Sequence, residues 1–208
     1  MRNVLTVDER LKRIPYPDPA ITMVEQPITV SFYLPKYVFT DKDVTSVKMG
    51  VWDEETKSWS IDYVGGDCEF KPETRTIQFT TTKFAPIAML QSRTTDYPYK
   101  NWWLRCTDDE TALLDLWTKR IHLRFEIGPL YTKLVDNECP ELEHLANREL
   151  HPGYLLQEIS KCGIHLMPKD DDAKLAGIEL KSKQAEERAI IDVACSVRAF
   201  HYRKSQWN

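Results

Sequence analysis

Apolar and polar residues alternate along the chain in short runs, beginning near residue 28. Four such runs cover residues 28–34, 45–52, 58–64 and 75–81. In the first run, Ile28, Val30 and Phe32 lie on one side of an extended chain, as expected when every second side chain of a strand faces a core. Polar turn sequences at residues 41–43, 53–57, 65–67 and 71–74 separate the runs. Strands joined without helices predict an antiparallel β-sandwich over residues 28–108.

A second set of strands is predicted at residues 112–117, 121–127 and 130–135. The middle run alternates without interruption, which places Leu123 and Phe125 toward a core and Arg124 toward solvent. The same alternation predicts that His122 is a solvent-facing strand residue rather than a ligand.

Helices are predicted only after about residue 138. The stripe Leu155, Ile159 and Cys162 favours a helix that begins near Pro152 and ends at Gly163. A second helix is predicted over residues 182–194, and short strands over residues 164–167 and 197–202. Cys162 and Cys195 occupy apolar positions of these helices and are interpreted as small core residues.

The predicted fold is therefore α+β and mainly β. Residues 1–27 form an extended lead-in because three prolines stand among residues 15–19. The sandwich occupies residues 28–108, and a smaller α+β region packed on it occupies residues 109–208.

Composition narrows the classes of partner. The chain has 42% hydrophobic and 29% charged residues, which is typical of a folded protein, and a net charge of −4. This charge disfavours nucleic acid and an anionic membrane as partners. No apolar run reaches the roughly 20 residues of a membrane span, and the N-terminus lacks the pattern of a signal peptide, so a cytoplasmic location is expected. The last part of the chain is its most basic region. It is either a solvated strand edge or a docking site for an acidic protein surface, and its basic residues are Arg198, His201, Arg203 and Lys204.

Groups with catalytic or metal-binding spacing are missing from the sequence. The five cysteines include no C-x-x-C pair, and the spacing of Cys139, His144 and His151 is not a recurring zinc pattern. Cys106 beside Arg105 is a weak nucleophile candidate. The acidic runs at residues 53–55, 108–110 and 170–172 are interpreted as solvated loops. We therefore predict a non-enzymatic protein with no catalytic residues, no cofactor and no metal.

An aromatic segment, residues 80–105, is the strongest candidate for function. If residues 102–105 form a strand, Trp102 and Trp103 face opposite sides, so both cannot enter one core. One is then buried, and the other meets solvent, the rest of the chain or a partner. Trp, Tyr and Arg are enriched at interface hot spots.

This segment resembles the cancer-susceptibility-candidate-one family of axonemal dynein-associated, intermediate-chain-like proteins. The matching positions are Phe79, Thr81, Phe84, Pro86, Ala88, Leu90, Gln91 and Arg93, followed by Pro98, Tyr99, Trp102, Leu104 and Arg105. Residues 50–52 and 59–62 match upstream, although Tyr63 replaces a family glycine. Residues 155–168, 199–200 and 205–208 match downstream, with Gln206 in place of a lysine. Family members are much longer, and their charged, helical N-terminal half has no counterpart here.

The resemblance implies a non-catalytic structural subunit of an inner-arm dynein assembly in the axoneme of motile cilia. Its partners would be dynein heavy or intermediate chains, with tubulin as a further candidate. The protein-interaction candidates are Phe84, Tyr97, Tyr99, Trp102, Trp103, Arg105 and Trp207. A general cytosolic protein-binding module unrelated to cilia is the alternative, and a hydrolase would need a cleft where Asp, His or Cys side chains converge.

Overall fold

The computed structural model describes residues 22–40, 47–108, 110–180 and 182–204, without the side chains of Asp67 and Asn137. Strands make up 38% and helices 21% of the structure, which confirms the predicted α+β, mainly β class. The chain forms two compact units. The first contains Met1–Phe32, Ser46–Phe70 and Thr76–Leu90, and the second contains Tyr33–Thr45, Lys71–Arg75 and Gln91–Asn208.

In its described residues, the first unit contains six strands in two three-stranded sheets. The strands are β1 (Met23–Tyr33), β2 (Lys48–Asp53), β3 (Ser58–Ser60), β4 (Val64–Lys71), β5 (Thr76–Lys83) and β6 (Ile87–Leu90). One sheet has the order β1-β5-β4 and the other β3-β2-β6. β2 is antiparallel to both of its neighbours. Hydrogen bonds from Leu34 N to Arg75 O and from Phe84 N to Thr22 O lie at opposite ends of β1 and make it antiparallel to β5.

The period-two pattern of the sequence builds the core of the first unit. The buried apolar side chains are Val47, Met49, Val51, Cys68, Phe70, Ile77 and Phe79. In β1 the inward residues Ile28, Val30 and Phe32 are half-buried, and Phe32 meets the ring of Phe79 edge-on at 6.4 Å. The two sheets are also joined by an ion pair, in which Lys83 Nζ lies 2.8 Å from Asp53 Oδ1.

The predicted turn at residues 65–67 is wrong, because these residues lie inside β4. The chain turns earlier, where Val64 N donates to Ile61 O at 3.0 Å. Gly66 has a φ of +73°, which only glycine adopts without strain. Thr80 Oγ1 donates to Gly65 O at 2.6 Å, and a Cβ at Gly65 would come within 2.8 Å of that hydroxyl. The two glycines therefore serve a strand irregularity and a close approach rather than a turn.

The second unit contains one five-stranded sheet and the helices. Its strands are β7 (Asn101–Cys106), β8 (Ala112–Trp117), β9 (His122–Ile127), β10 (Thr132–Asn137) and β11 (Tyr202–Arg203), in the order β10-β9-β8-β7-β11. All of its pairs are antiparallel. The predicted strands at residues 112–117, 121–127 and 130–135 are confirmed as β8, β9 and β10. β7 and β8 share this sheet, and the division of the chain at residue 108 into a sandwich and a smaller α+β region stays a prediction.

The helices follow β10. They are a 3-10 helix (Pro140–Leu145), α1 (Pro152–Lys161), α2 (Asp170–Leu175) and α3 (Lys183–Ser196). The predicted first helix is confirmed: His151 caps α1 by accepting from Gly153 N, and Gly163 follows its end with a φ of +87°. One face of the sheet forms the core with the 3-10 helix and α1. This core contains Leu116, Leu123, Phe125, Leu134, Cys139, Leu142, Leu145, Leu155, Ile159, Cys162, Ile164 and Leu166.

Several predictions in the C-terminal part are wrong. Residues 164–167 form no strand, although Ile164 and Leu166 are buried, and the strand expected at residues 197–202 is reduced to β11. The helix α3 forms close to the predicted bounds, with Ser182 as its N-cap, but none of its residues is buried. Cys195 is exposed rather than a core residue, whereas Cys162 is buried as predicted. No helix in the described ranges is both long and apolar enough to cross a membrane.

Candidate interaction surface

The strand β7 separates its two adjacent tryptophans, as its predicted alternation requires. Trp102 packs against the core of the second unit, whereas the side chain of Trp103 is 45% exposed. Trp103 therefore lies on the opposite face of the sheet, which we call the outer face. Arg105, two residues further along β7, is also exposed on this face.

Three aromatic side chains form a continuous row on the outer face. The ring centroids of Trp103 and Trp117 are 5.1 Å apart with an interplanar angle of 64°. Trp117 stacks on His122 at 4.4 Å and 10°, because these two residues are directly opposed in the β8–β9 pair. We call Trp103, Trp117 and His122 the aromatic row. His122 lies on the outer face, as the alternation predicted, but it is half-buried in a stack rather than open to solvent.

A buried carboxylate fixes the position of the aromatic row. Asp115 is directly opposite Trp103 in β8, and only 1% of its surface is exposed. Its Oδ1 accepts from Arg124 Nε at 2.7 Å and lies 3.1 Å from His122 Nε2. A buried charge needs such partners, and these contacts hold the imidazole ring of His122 in place under Trp117.

A second polar cluster occupies the outer face, four residues along β9 from His122. Glu126 accepts from Lys133 Nζ and from Tyr131 Oη, each at 2.9 Å. The bond from Lys133, followed by that from Tyr131, lowers the pKa of Glu126 below its ordinary value. The same contact with Glu126 raises the pKa of Lys133. Both groups are therefore charged at neutral pH and already neutralise each other.

Two arginines near Trp103 have no acidic partner among the described residues. Arg203 is directly opposite Trp103 in the β11–β7 pair, and both Arg203 and Arg105 are exposed. Arg124, by contrast, is engaged with Asp115 and lies 3.5 Å from Asp136. Within the described residues, the surface around Trp103 therefore combines an exposed indole with two arginines that no acid neutralises.

The other predicted interaction residues occupy different places. Phe84 is 50% exposed and belongs to the first unit. Tyr97 and Tyr99 meet edge-on at 5.7 Å, and Tyr99 Oη donates to Leu166 O at 2.7 Å. Burial raises the pKa of Tyr99 to about 12. The hydroxyl is therefore protonated at neutral pH and its bond to Leu166 O stabilises the fold. Trp207 lies outside the described residues. Trp102, Trp103 and Arg105 share β7, and only Trp103 and Arg105 are exposed on the outer face.

Buried acids in and near the aromatic segment were not found from the sequence. Asp96 is fully buried and accepts from Arg120 through both carboxylate oxygens, with Nε–Oδ1 and Nη2–Oδ2 distances of 2.7 Å. Its Oδ2 also accepts from His165 N at 2.9 Å. Arg120 is 24 residues away along the chain, so local pattern offers no hint of this pair.

Asp172 forms a similar buried contact and corrects the interpretation of residues 170–172 as a solvated loop. Arg93 Nε lies 2.9 Å from Asp172 Oδ1, and Lys169 N donates to Oδ2 at 2.8 Å. Asp172 is fully buried in α2. Gln91 Nε2 donates to Gly163 O at 2.7 Å. Two positions of the family-like segment, Gln91 and Arg93, thus bind the segment around Gly163 and Asp172 and hold the fold.

The three residues singled out as a possible ligand cluster are engaged in structural contacts, whereas Cys106 is a half-buried free thiol. Cys139 Sγ donates to Glu141 Oε2 at 3.1 Å, and burial raises the pKa of this thiol to about 12. His144 Nδ1 lies 3.1 Å from Glu141 O, and His151 caps α1. Within the described ranges, no group of three or more His, Cys, Asp or Glu side chains could hold a metal ion.

An open groove of about 850 Å³ lies beside these residues in the second unit. It is lined by Lys36, Tyr37, Arg75, Pro140, Glu141, Glu143 and His144. Arg75 Nη1 lies 3.7 Å from Glu141 Oε1, and Arg75 Nη2 donates to the carbonyls of Pro35 and Val38. These contacts of Arg75 connect residues 35–38 with Glu141 and so hold the walls of the groove in position.

Comparison with known proteins places these features in a wider context. No protein-family model matches the chain. Several curated proteins are similar to it, each named dynein axonemal intermediate chain 7. The protein of Danio rerio is 25% identical over 187 residues, which is 90% of this chain and 25% of that protein. The protein of Mus musculus is 25% identical over 195 residues, 92% of this chain and 26% of that protein.

The protein of that name from Macaca fascicularis is 24% identical over 160 residues, 76% of this chain and 22% of that protein. The chain thus spans about a quarter of the length of the curated relatives it matches. The identity is low but extends over most of the chain, and it supports a relationship to axonemal dynein intermediate-chain-like proteins.

Proposed function

We propose that this chain is a non-catalytic, dynein-associated module of the ciliary axoneme, acting by protein–protein contacts. The observation that supports a binding role is the aromatic row, in which an exposed Trp103 stands on a rigid stack. The similarity over 90% of the chain to a protein named dynein axonemal intermediate chain 7 supports the assignment to a dynein assembly. Within that assignment, we propose the cancer-susceptibility-candidate-one family and an inner-arm scaffold in motile cilia.

The physical basis of binding is preorganisation. Trp103 rests against Trp117, which stacks on His122, and His122 is held by Asp115. A large side chain that is already ordered loses little conformational entropy when a partner covers it. Indole rings surrounded by a polar rim are typical of interface hot spots.

The charges next to Trp103 favour an acidic partner surface. Arg105 and Arg203 flank the indole and have no acidic partner in the described part of the chain, so an acidic patch on a partner would pair with them. Dynein heavy or intermediate chains are the proposed direct partners. Tubulin is a second candidate: the net charge of −4 opposes approach to an acidic microtubule, while the local positive charge favours it.

The test is an affinity pull-down from detergent-stripped cilia, with the 208-residue chain as bait and mass spectrometry as the readout. Enrichment of inner-arm dynein chains is the expected result. Recovery of tubulin alone would move the contact to the microtubule. Recovery of neither would favour the alternative, a general cytosolic protein-binding module.

Two matched variants of the bait locate the surface. Trp103→Ala should lose most of the dynein signal, because truncating a hot-spot indole costs about 2 kcal/mol or more of binding free energy. Trp59→Ala is the control, since Trp59 is 42% exposed and stands edge-on against Trp52 at 5.3 Å, much as Trp103 stands against Trp117. Equal recovery of dynein by the two variants would reject the aromatic row as the docking surface.

A further inference from the structure

Sheet edges differ in how they are protected against pairing with another chain. β3, β6 and β11 are edge strands of three, four and two residues. β10 is bridged by Leu150 and Ala146, and β4 begins with the irregularity at Gly65–Gly66. Short length, coverage and bulges are the usual means of blocking an edge. β1, with 11 residues, is the long edge strand of its sheet.

The direction of the backbone groups in β1 can be deduced from its end contacts. Leu34 N and Thr22 O point toward β5. Side chains alternate regularly between half-buried and exposed over residues 28–33. Because backbone groups alternate along such a strand, counting back from Leu34 gives even-numbered residues that bond to β5 and odd-numbered residues that point to the outer edge. Pro27 is odd-numbered and has no N–H, as expected for proline in an edge strand. No described residue pairs with this outer edge.

The exposed part of this edge is symmetric and uncharged. Its outward-pointing residues are Thr29, Ser31 and Tyr33, all with exposed side chains. Pro27 and Pro35 each stand four positions from Ser31, so they limit any added strand to the residues between them. No charged residue lies between Pro27 and Pro35, although edge strands commonly carry a charge that prevents pairing with another chain.

We propose that β1 pairs with β1 of a second copy of this chain, in antiparallel register with Ser31 on the two-fold axis. Ser31 then faces Ser31, and Thr29 faces Tyr33 of the other copy. Both prolines fall symmetrically outside the paired stretch, and no like charges meet. A self-complementary patch of this kind gives a closed two-fold dimer. A single-strand contact lies at the small end of protein interfaces, so the dimer is weak and forms as concentration rises.

The register is tested by cysteine cross-linking in a Cys195→Ser background, which removes the exposed native thiol. Directly opposed residues of a hydrogen-bonded antiparallel pair have Cα atoms about 5.5 Å apart, within the range that a disulfide spans. Ser31→Cys should therefore form a covalent dimer under mild oxidation. Thr29→Cys is the matched control: its counterpart is four residues away along the strand, roughly 13 Å, so it should remain monomeric.

A double variant with Thr29→Cys and Tyr33→Cys restores directly opposed pairs and should cross-link again. Failure of Ser31→Cys to cross-link, or equal cross-linking of Ser31→Cys and Thr29→Cys, would overturn the proposed register.

Sedimentation velocity at increasing concentration tests the association itself. The wild-type chain should shift toward a dimer, and Ser31→Lys should weaken this association at least tenfold because it places two lysines face to face. Glu25→Lys, outside the stretch bounded by the prolines, should not. Circular dichroism establishes that both variants are folded.

A wild-type chain that stays monomeric at every concentration reached, while Ser31→Lys loses dynein chains in the pull-down, would show that a partner's strand occupies β1 instead. That result would reject self-pairing and leave the proposed function intact.

Discussion

Trp102 and Trp103 are neighbours in sequence, but Trp102 packs on the core and Trp103 is exposed on the outer face. Trp102→Ala should lower the free energy of unfolding by roughly 3 kcal/mol, because it removes an indole packed on the core. Trp103→Ala should cost about 1 kcal/mol or less, the contribution of its edge-on contact with Trp117. Urea unfolding of the two variants measures both values. Equal, large losses would mean that the indole of Trp103 is needed for folding rather than for binding.

Loss of Arg120 should destabilise the fold strongly, because this side chain is the forked partner of the buried Asp96. Arg120→Met leaves Asp96 as a buried carboxylate without its forked partner, and we expect a loss of about 3–5 kcal/mol in unfolding free energy. Arg148→Met is the control, because the exposed Arg148 makes a single 3.4 Å contact with His144 O among the described residues and its loss should cost less than about 0.5 kcal/mol. Denaturant midpoints give the comparison, and similar losses for both would contradict a structural role for the Asp96 pair.

Among the strands, β2 and β5 are joined by an ionic contact whose strength depends on pH. Hydrogen bonding to Lys83 lowers the pKa of Asp53, and the same bond raises the pKa of Lys83. The stability due to Asp53 is present above its unfolded pKa, about 4, and is lost as pH falls through the lower folded value. The stability due to Lys83 is present below about 10.4 and is lost as pH rises through its higher folded value.

Lys83→Met should therefore lower the unfolding free energy by a constant amount between about pH 4 and pH 10, and the difference from wild type should shrink on either side. Urea unfolding over a range of pH measures it. Lys57→Met removes an exposed pair with Glu54 and should show little effect at any pH. A Lys83→Met difference that does not change at acidic pH would indicate that the contact with Asp53 is not maintained in solution.

Elements with a clear period were predictable, and those defined by distant contacts were not. β1, β5, β8, β9 and α1 follow the alternation or stripe of their own residues. β4 was missed because Gly65 and Gly66 resemble a turn, and the reason for glycine there is the approach of Thr80 from another strand. The apolar positions of α3 predicted burial, yet Ile190 is 69% exposed, since a stripe does not specify what covers it.

The candidate surface was predicted in part for the same reason. Strand alternation alone separated Trp102 from Trp103, and the structure adds that Arg105 is exposed on the same face as Trp103. Trp117 and His122 were missed because they join the aromatic row through the pairing of β7, β8 and β9, which a local pattern does not contain. The buried positions of Asp172 and Asp96 depend on Arg93 and Arg120, which are distant along the chain, so the local pattern indicated a solvated loop for Asp172 and did not single out Asp96.

The two units are interleaved along the chain, and this should appear in the stability of fragments. Phe39 packs on the core of the second unit, donates from N to Cys162 O at 2.7 Å, and lies 4.8 Å from the Arg120 guanidinium. A fragment of residues 91–208 lacks Phe39 and Arg75, so we expect it to unfold at lower urea than the full chain. Phe39→Ala in the full chain should reproduce part of this loss, about 2 kcal/mol. A fragment as stable as the full chain would show that these early residues are dispensable.

The same interleaving affects the order in which the protein can fold while it is being made. A ribosome releases Phe39 and Arg75 long before the residues they contact, Cys162 and Glu141, have been added. At ordinary rates of elongation this delay is on the order of ten seconds. The first unit has all its strands by residue 90 and can fold during that interval. The second unit has to wait until β11, at residues 202–203, has been made, so its early segments stay exposed in the meantime and can bind chaperones.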